Sequence, residues 1–270
     1  MPAASDRATL VAALEDQFDS LLELGRDLAE EQWSTASEVP GWTVKDNFSH
    51  VIGTELMLLG RPDDKVDVAD AEHVKNDIGS FNEVAIETRR GRTGQEVLAE
   101  FALVAGERKA ALQAMSDADF DAESFTPAGQ DTYGRFMQIR VFDCWIHEQD
   151  CRGPLGLPGH ESGPAAEVMV DEMTTAMGFV VGKKAGATEG QSVRLRLTGA
   201  TERTVDVRVD GRATVVHDLD DPTTTITLPM PLWVRFAAGR RAGDPDHADV
   251  TIDGDAALGR SVIENAAYTI

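Results

Sequence analysis

Arg140, Asp143, His147 and Asp150 follow one another at steps of three and four residues. On an α-helix, at 100° per residue, they fall within about 80° of one another and form one ionisable stripe. Two chemistries fit such a stripe. Turned to water, Asp143 and His147 are an i,i+4 pair contributing about 0.2–0.5 kcal/mol. Turned inward, the charge must be paired or bound to metal, and a carboxylate and an imidazole one turn apart can share a divalent ion. The rest of the helix carries Met137, Val141, Phe142, Trp145 and Ile146 over much of its circumference, and a helix apolar on most sides is usually buried.

A metal needs a further ligand from another element, and His50 is the candidate. It stands at the edge of an apolar face made by Val44, Phe48, Val51 and Ile52, where a histidine is either a boundary residue of the core or a ligand. His73 falls in a polar stretch, and His160, His217 and His247 belong to the second half of the chain without a helical partner at ligand spacing. His50, Asp143 and His147 together make a two-histidine, one-carboxylate set with an open coordination position, a catalytic rather than a closed structural pattern.

Helices must position these residues. Leu10, Leu14, Phe18, Leu21, Gly25 and Leu28 recur at steps of three and four, which predicts a first amphipathic helix. Pro40-Gly41 breaks the chain, and Thr43 with Asp46 forms a capping box that opens a second helix through Leu59. Arg61 to Asp77 reads as polar loop. A third helical stretch from Ser80, interrupted near Gly91, restarts at the Thr93–Glu96 box and runs to Met115. Asp117 to Gly134 is mixed, with Pro127 and Gly129 marking a loop, and a fourth helix runs from Arg135 to Gly153-Pro154. Four long helices predict a bundle.

The period changes beyond the Gly/Pro-rich stretch Gly153 to Gly163, which places the expected domain boundary between residues 158 and 159. Glu167 to Val181 still reads as helix, but Val193, Leu195 and Leu197 alternate with arginines, and Val205, Val207 and Val209 lead to an Asp210-Gly211 hairpin turn. Ile226 and Leu228, then Val250 and Ile252, predict further strands, with helices around Trp233 and over Asp255 to Ala267. The second half therefore reads as a small α+β domain with a mainly antiparallel sheet.

Composition narrows the function. The 270 residues exceed the usual ~100–200 of one domain. Acidic residues outnumber basic ones 47 to 25, for a formal charge of −22, which repels phosphate backbones and anionic lipids and argues against nucleic acid or membrane partners. No apolar run is long enough to span a bilayer, and Met1 to Arg7 lacks the basic-then-apolar pattern of a secretory signal. Cys144 and Cys151 are the only cysteines. On one helix their Cα atoms lie about 10 Å apart, beyond disulfide reach, so they read as reduced thiols of a cytoplasmic protein.

Val39-Pro40-Gly41-Trp42-Thr43-Val44-Lys45-Asp46, with His50 four residues on, resembles the N-terminal motif of the mycothiol-dependent maleylpyruvate isomerase family. Arg140-Val141-Phe142-Asp143-Cys144-Trp145-Ile146-His147-Glu148-Gln149-Asp150 resembles its second metal motif. The resemblance implies a DinB-like four-helix bundle over residues 1–158 and a sterol-carrier-type domain over 159–270. It implies zinc held by His50, Asp143 and His147, and mycothiol as thiol cosubstrate. The middle ligand is often glutamate in the family, and here Asp143 is shorter by a methylene. The family's C-terminal domain contributes an arginine to the active cleft. Arg240 is the closest match, with Arg235 and Arg241 as rivals, and would bind a carboxylate of the thiol or of an acidic substrate. Asn82 either faces the same cleft or caps a helix.

The expected function is thiol chemistry at an open zinc site. Cys144 projects about 100° from Asp143 on the helix, so a small-molecule thiol supplies the sulfur, as a transferase or isomerase acting on an electrophilic small molecule. Two other classes compete with this reading: a non-enzymatic small-molecule or lipid binding protein, and a metal–thiol regulatory sensor.

Overall fold

A computed structural model describes residues 5–68, 74 and 76–269, and two compact units divide the chain, one over Asp6–His160 and one that begins at Glu161. His73 lies outside the described residues, as do residues 1–4 at the start of the chain.

In the first unit the apolar stripe Leu10, Leu14, Phe18, Leu21 and Gly25 is the buried face of α1 (Arg7–Arg26), capped by Asp6, whose side chain accepts from Thr9 N. A 3-10 turn, Glu30–Ser34, sets Trp33 in the core. α2 (Val44–Leu58) opens on the expected box, Thr43 accepting from Asp46 N while Asp46 accepts from Thr43 N. α3 (Asp77–Arg89) starts three residues before the expected Ser80, because Asn76 caps it by accepting from Gly79 N. α4 (Gly94–Ala114) begins at the Thr93–Glu96 box, and α6 (Tyr133–Leu155) ends where Gly156 takes a left-handed φ of 66°.

The mixed stretch 117–134 turns between Thr126 and Gly129, at the expected Pro127–Gly129 loop. It holds a short α5 (Asp117–Phe120) and a hairpin of β1 (Glu123–Thr126) and β2 (Gly129–Thr132). Four long helices close a ring: α1 packs on α4 and α6, and α2 packs on the same two. α3 lies against α2, where Gly53 permits the approach. A Cβ there would sit 2.3 Å from that of Ala85.

The second unit pairs α7 (Pro164–Thr175), α8 (Met177–Phe179) and a π turn with a five-stranded sheet. Its strands are β3 (Ser192–Thr198), β4 (Arg203–Asp210), β5 (Arg212–Val216), β6 (Thr224–Pro229) and β7 (Thr251–Gly254), in the order β5-β4-β3-β6-β7. β3 and β6 run parallel and the other pairs are antiparallel. Val193, Leu195 and Leu197 are buried, while Arg194, between them, forks onto Asp206 of β4 through two hydrogen bonds of 2.7 Å. α9 (Met230–Ala237) and α10 (Ala256–Glu264) complete the unit. Among the described residues no helix is long and apolar enough to cross a membrane.

Candidate metal centre

The inward-facing alternative for the ionisable stripe is the one adopted. α2 and α6 run antiparallel, so that Asn47 meets His147, His50 meets Asp143, and Glu55 meets Arg140. His50 Nε2 lies 3.0 Å from Asp143 Oδ2, and His147 Nε2 lies 3.6 Å from Asp143 Oδ1. The three side chains bring ligand atoms within 4.8 Å of one another, and no second such cluster occurs among the described residues. A four-coordinate zinc ion, at about 2.0–2.1 Å from each donor, spaces its donors about 3.3 Å apart. The two observed separations straddle that value, and the imidazole and carboxylate donors suit zinc or another borderline divalent ion. The residues fit a metal.

The protonation state of His147 follows from its neighbours. Asn47 Nδ2 donates to Thr43 O at 2.8 Å, which fixes the amide and points Oδ1 at His147 Nδ1, 2.9 Å away. An amide oxygen only accepts, so Nδ1 carries the proton, and Asp150 Oδ2 stands 3.2 Å from the same atom. Nε2 is left facing Asp143 with its lone pair available. This is how an outer acceptor selects the ligating nitrogen in metal sites. His50 lacks such support: its Nδ1 is buried without a hydrogen-bond partner. Packing holds the rings instead. Trp42 stacks on His147 at 5.4 Å and 28°, and lies 5.5 Å from His50.

The two imidazoles differ in proton affinity. Burial pushes His50 below its ordinary value despite the opposing pull of Asp143. Burial acts the same way on His147, but hydrogen bonds to Asp143 and Asp150 outweigh it and raise that group. Asp143 is held well below the carboxylate range: burial opposes its charge, and His50 and Arg140 prevail. Its side chain nonetheless remains 32% exposed, against 4% for His50 and 9% for His147. The cluster is therefore open to solvent on the carboxylate side. A cation entering there competes with a proton for His147 Nε2, which makes binding pH-dependent.

Asn82 lies within α3, partly buried, and is not a cap, since Asn76 fills that position. Arg240 belongs to the second unit, just beyond α9, where its Nη1 donates to Ala238 O at 3.1 Å. Both cysteines are free and buried, and burial pushes both thiols up, so neither supplies a ready thiolate. Sequence reasoning missed Asn47 and Glu55. Asn47, one turn before His50, shares its helix face and could have been found by that spacing. Glu55, five positions on, offers no such sign.

Residues 14–152 match the family model "Mycothiol maleylpyruvate isomerase N-terminal domain", and residues 167–260 match "MDMPI C-terminal domain". A crystal structure of the mycothiol-dependent maleylpyruvate isomerase is similar to this chain at 18% identity and a TM-score of 0.55, covering 92% of this chain and 91% of that one. A structure of a histidine-to-alanine mutant of that enzyme is similar at 17% identity and a TM-score of 0.50, over the same shares of each chain. At these identities the likeness establishes the fold. No curated protein sequence matches. The first family model alone spans more than half of the residues, and the chain belongs to the mycothiol maleylpyruvate isomerase family.

Proposed function

We propose that the chain is a cytoplasmic, zinc-dependent enzyme that uses mycothiol to isomerise, or to add a thiol to, an electrophilic small molecule. The observation that carries this reading is the convergence of His50, Asp143 and His147 in a cluster buried on the histidine side and open at Asp143. A bound metal with an open position would lower the pKa of an incoming thiol and so supply a thiolate at neutral pH.

The chain's own residues do the rest. His50, Asp143 and His147 would hold the ion. Asn47 and Asp150 keep the His147 proton on Nδ1. Trp42 walls the imidazoles on their apolar side and limits access of water there. Arg240 is assigned to a carboxylate of mycothiol or of the substrate, and Asn82 to the thiol cosubstrate. These two roles rest on the motif resemblance.

Elemental analysis of purified protein is expected to find close to one divalent ion per chain, and His147→Ala to lower that content sharply in a folded protein. Turnover is then compared with mycothiol, with another small thiol and without thiol, and equal rates in all three would exclude mycothiol as cosubstrate. Arg240→Ala is expected to slow the mycothiol reaction by roughly 10- to 150-fold, the equivalent of one charge-assisted contact of about 1.5–3 kcal/mol, without changing metal content.

A further inference from the structure

A line of charge runs through the interior of the bundle and ends on one member of the cluster. Arg108 of α4 donates from Nε to Glu55 Oε2 at 2.7 Å. Glu55 of α2 accepts on Oε1 from Arg140 Nε at 3.0 Å and Nη2 at 2.8 Å. Arg140 Nη1 is in close contact with Asp143 Oδ2. The side chains of Arg108, Glu55 and Arg140 are 2%, 1% and 3% exposed. The signs alternate, plus, minus, plus, minus, across three helices.

Such a line is a costly way to fill a core. Replacing buried ion pairs by apolar groups of the same volume is often neutral or stabilising, so packing alone gives no reason for two arginines here. Four of the five N–H groups of the Arg140 guanidinium face a partner: two reach Glu55, one Asp143, and one Cys144 Sγ at 3.0 Å from Nη2. Its planar fork cannot turn without breaking all of them. Asp143 is short and about one-third exposed, and apart from Arg140 the partners of its carboxylate are His50 and His147, the other two members of the cluster.

We infer that Arg140 is the positioning residue of the centre: anchored by Glu55 and through it by Arg108, it clamps one oxygen of Asp143 and so sets the carboxylate against the two histidines. The inference rests on the metal-site reading above. It attributes the clamp to geometry rather than charge, and the two have opposite signs. A guanidinium beside a divalent cation repels it, so charge alone predicts that removing Arg140 tightens binding. Loss of positioning predicts weaker binding.

Zinc dissociation constants are measured by chelator competition on wild-type protein, Arg140→Met, Arg140→Lys and Glu55→Gln, with folding checked by circular dichroism of the metal-free forms. Arg140→Met is expected to bind zinc about 10- to 100-fold more weakly, the usual cost of losing an outer-shell partner. Arg140→Lys keeps the charge but not the fork, and is expected to fall on the same side. Glu55→Gln, close to isosteric, frees Arg140 from its charged anchor and should weaken binding in the same direction. Cobalt substitution adds a readout that a purely structural role would not move, because the visible d–d bands should shift in these variants. Unchanged or tighter zinc binding in folded Arg140→Lys or Glu55→Gln would overturn the inference even if Arg140→Met did not fold. Absence of zinc binding by the wild-type protein would instead overturn the metal-site reading itself.

Discussion

Asn47 and Asp150 both face His147 Nδ1, yet a neutral amide and a carboxylate differ as acceptors. Hydrogen bonds to an ionised partner are roughly twice as strong as neutral ones, so Asp150→Ala is expected to weaken metal binding more than Asn47→Ala. Chelator competition should place the two losses at opposite ends of the ~10- to 100-fold range of outer-shell variants. Equal losses would mean that the Asp150 charge at 3.2 Å gives it no advantage over the neutral Asn47 contact at 2.9 Å. That Asp143 and His147 share a helix face was legible in their spacing, and His50 was marked out by its neighbouring motif. Their supporting residues were not, because which residue of α2 meets which of α6 is a property of the antiparallel contact, invisible in either helix alone. Asn82 shows the converse. A residue type that favours caps sits inside α3, because Asn76, six residues earlier, already fills the cap.

α6 carries more than its two candidate ligands. Next to His147, Glu148 is fully buried and accepts from Gln17 Nε2 at 2.6 Å, Ser20 Oγ at 2.6 Å, and Arg152 Nε at 2.6 Å. His160 Nδ1 reaches it at 2.7 Å, and His160 Nε2 lies 3.1 Å from Asp16, so the segment after α6 is strapped back onto α1. Burial opposes the charged form of both partners. Their mutual hydrogen bond outweighs it, lowering Glu148 from its ordinary 4.5 and raising His160 from its ordinary 6.5. The raised His160 contributes stability that is complete below 6.5 and lost as pH climbs through its folded-state value. The lowered Glu148 contributes stability that is complete above 4.5 and lost as pH falls through its own folded-state value. The strap is therefore strongest between those limits. His160→Asn preserves the residue's left-handed φ of 57°, which asparagine tolerates, and removes the titration. The gap in melting temperature between wild type and this variant should be widest near about pH 5.5 and narrow on the alkaline side. A gap that does not vary with pH would show that charge plays no part. Element boundaries marked by caps were readable in the sequence, as at Thr43 and Thr93. The β1–β2 hairpin was not. Its segment holds a single large apolar residue, Phe125, which is 77% exposed, so no alternating pattern announces a strand.

At the scale of the whole molecule, the change of hydrophobic period was legible, and so was the antiparallel character of most of the sheet. The parallel β3–β6 pair was not, because alternation within a strand says nothing of which strand lies beside it. The compact helical unit reaches His160, two residues past the expected boundary at 158. A fragment of residues 1–158 keeps all three candidate ligands and should bind metal. It lacks His160, and should unfold at lower denaturant than residues 1–162 by about 1–3 kcal/mol, the cost of leaving a buried acceptor short of a partner. A folded 1–158 fragment without metal affinity would count against the ligand assignment. The distribution of those ligands has one more effect. His50 and Asp143 are 93 positions apart in the chain and 3.0 Å apart in space. An ion joining them would close a loop of that length, and because the folded bundle already holds the two residues together, the closure entropy falls on the unfolded chain. An ion held there would act as a removable cross-link between α2 and α6, and free zinc concentration would become a variable in how readily the bundle comes apart.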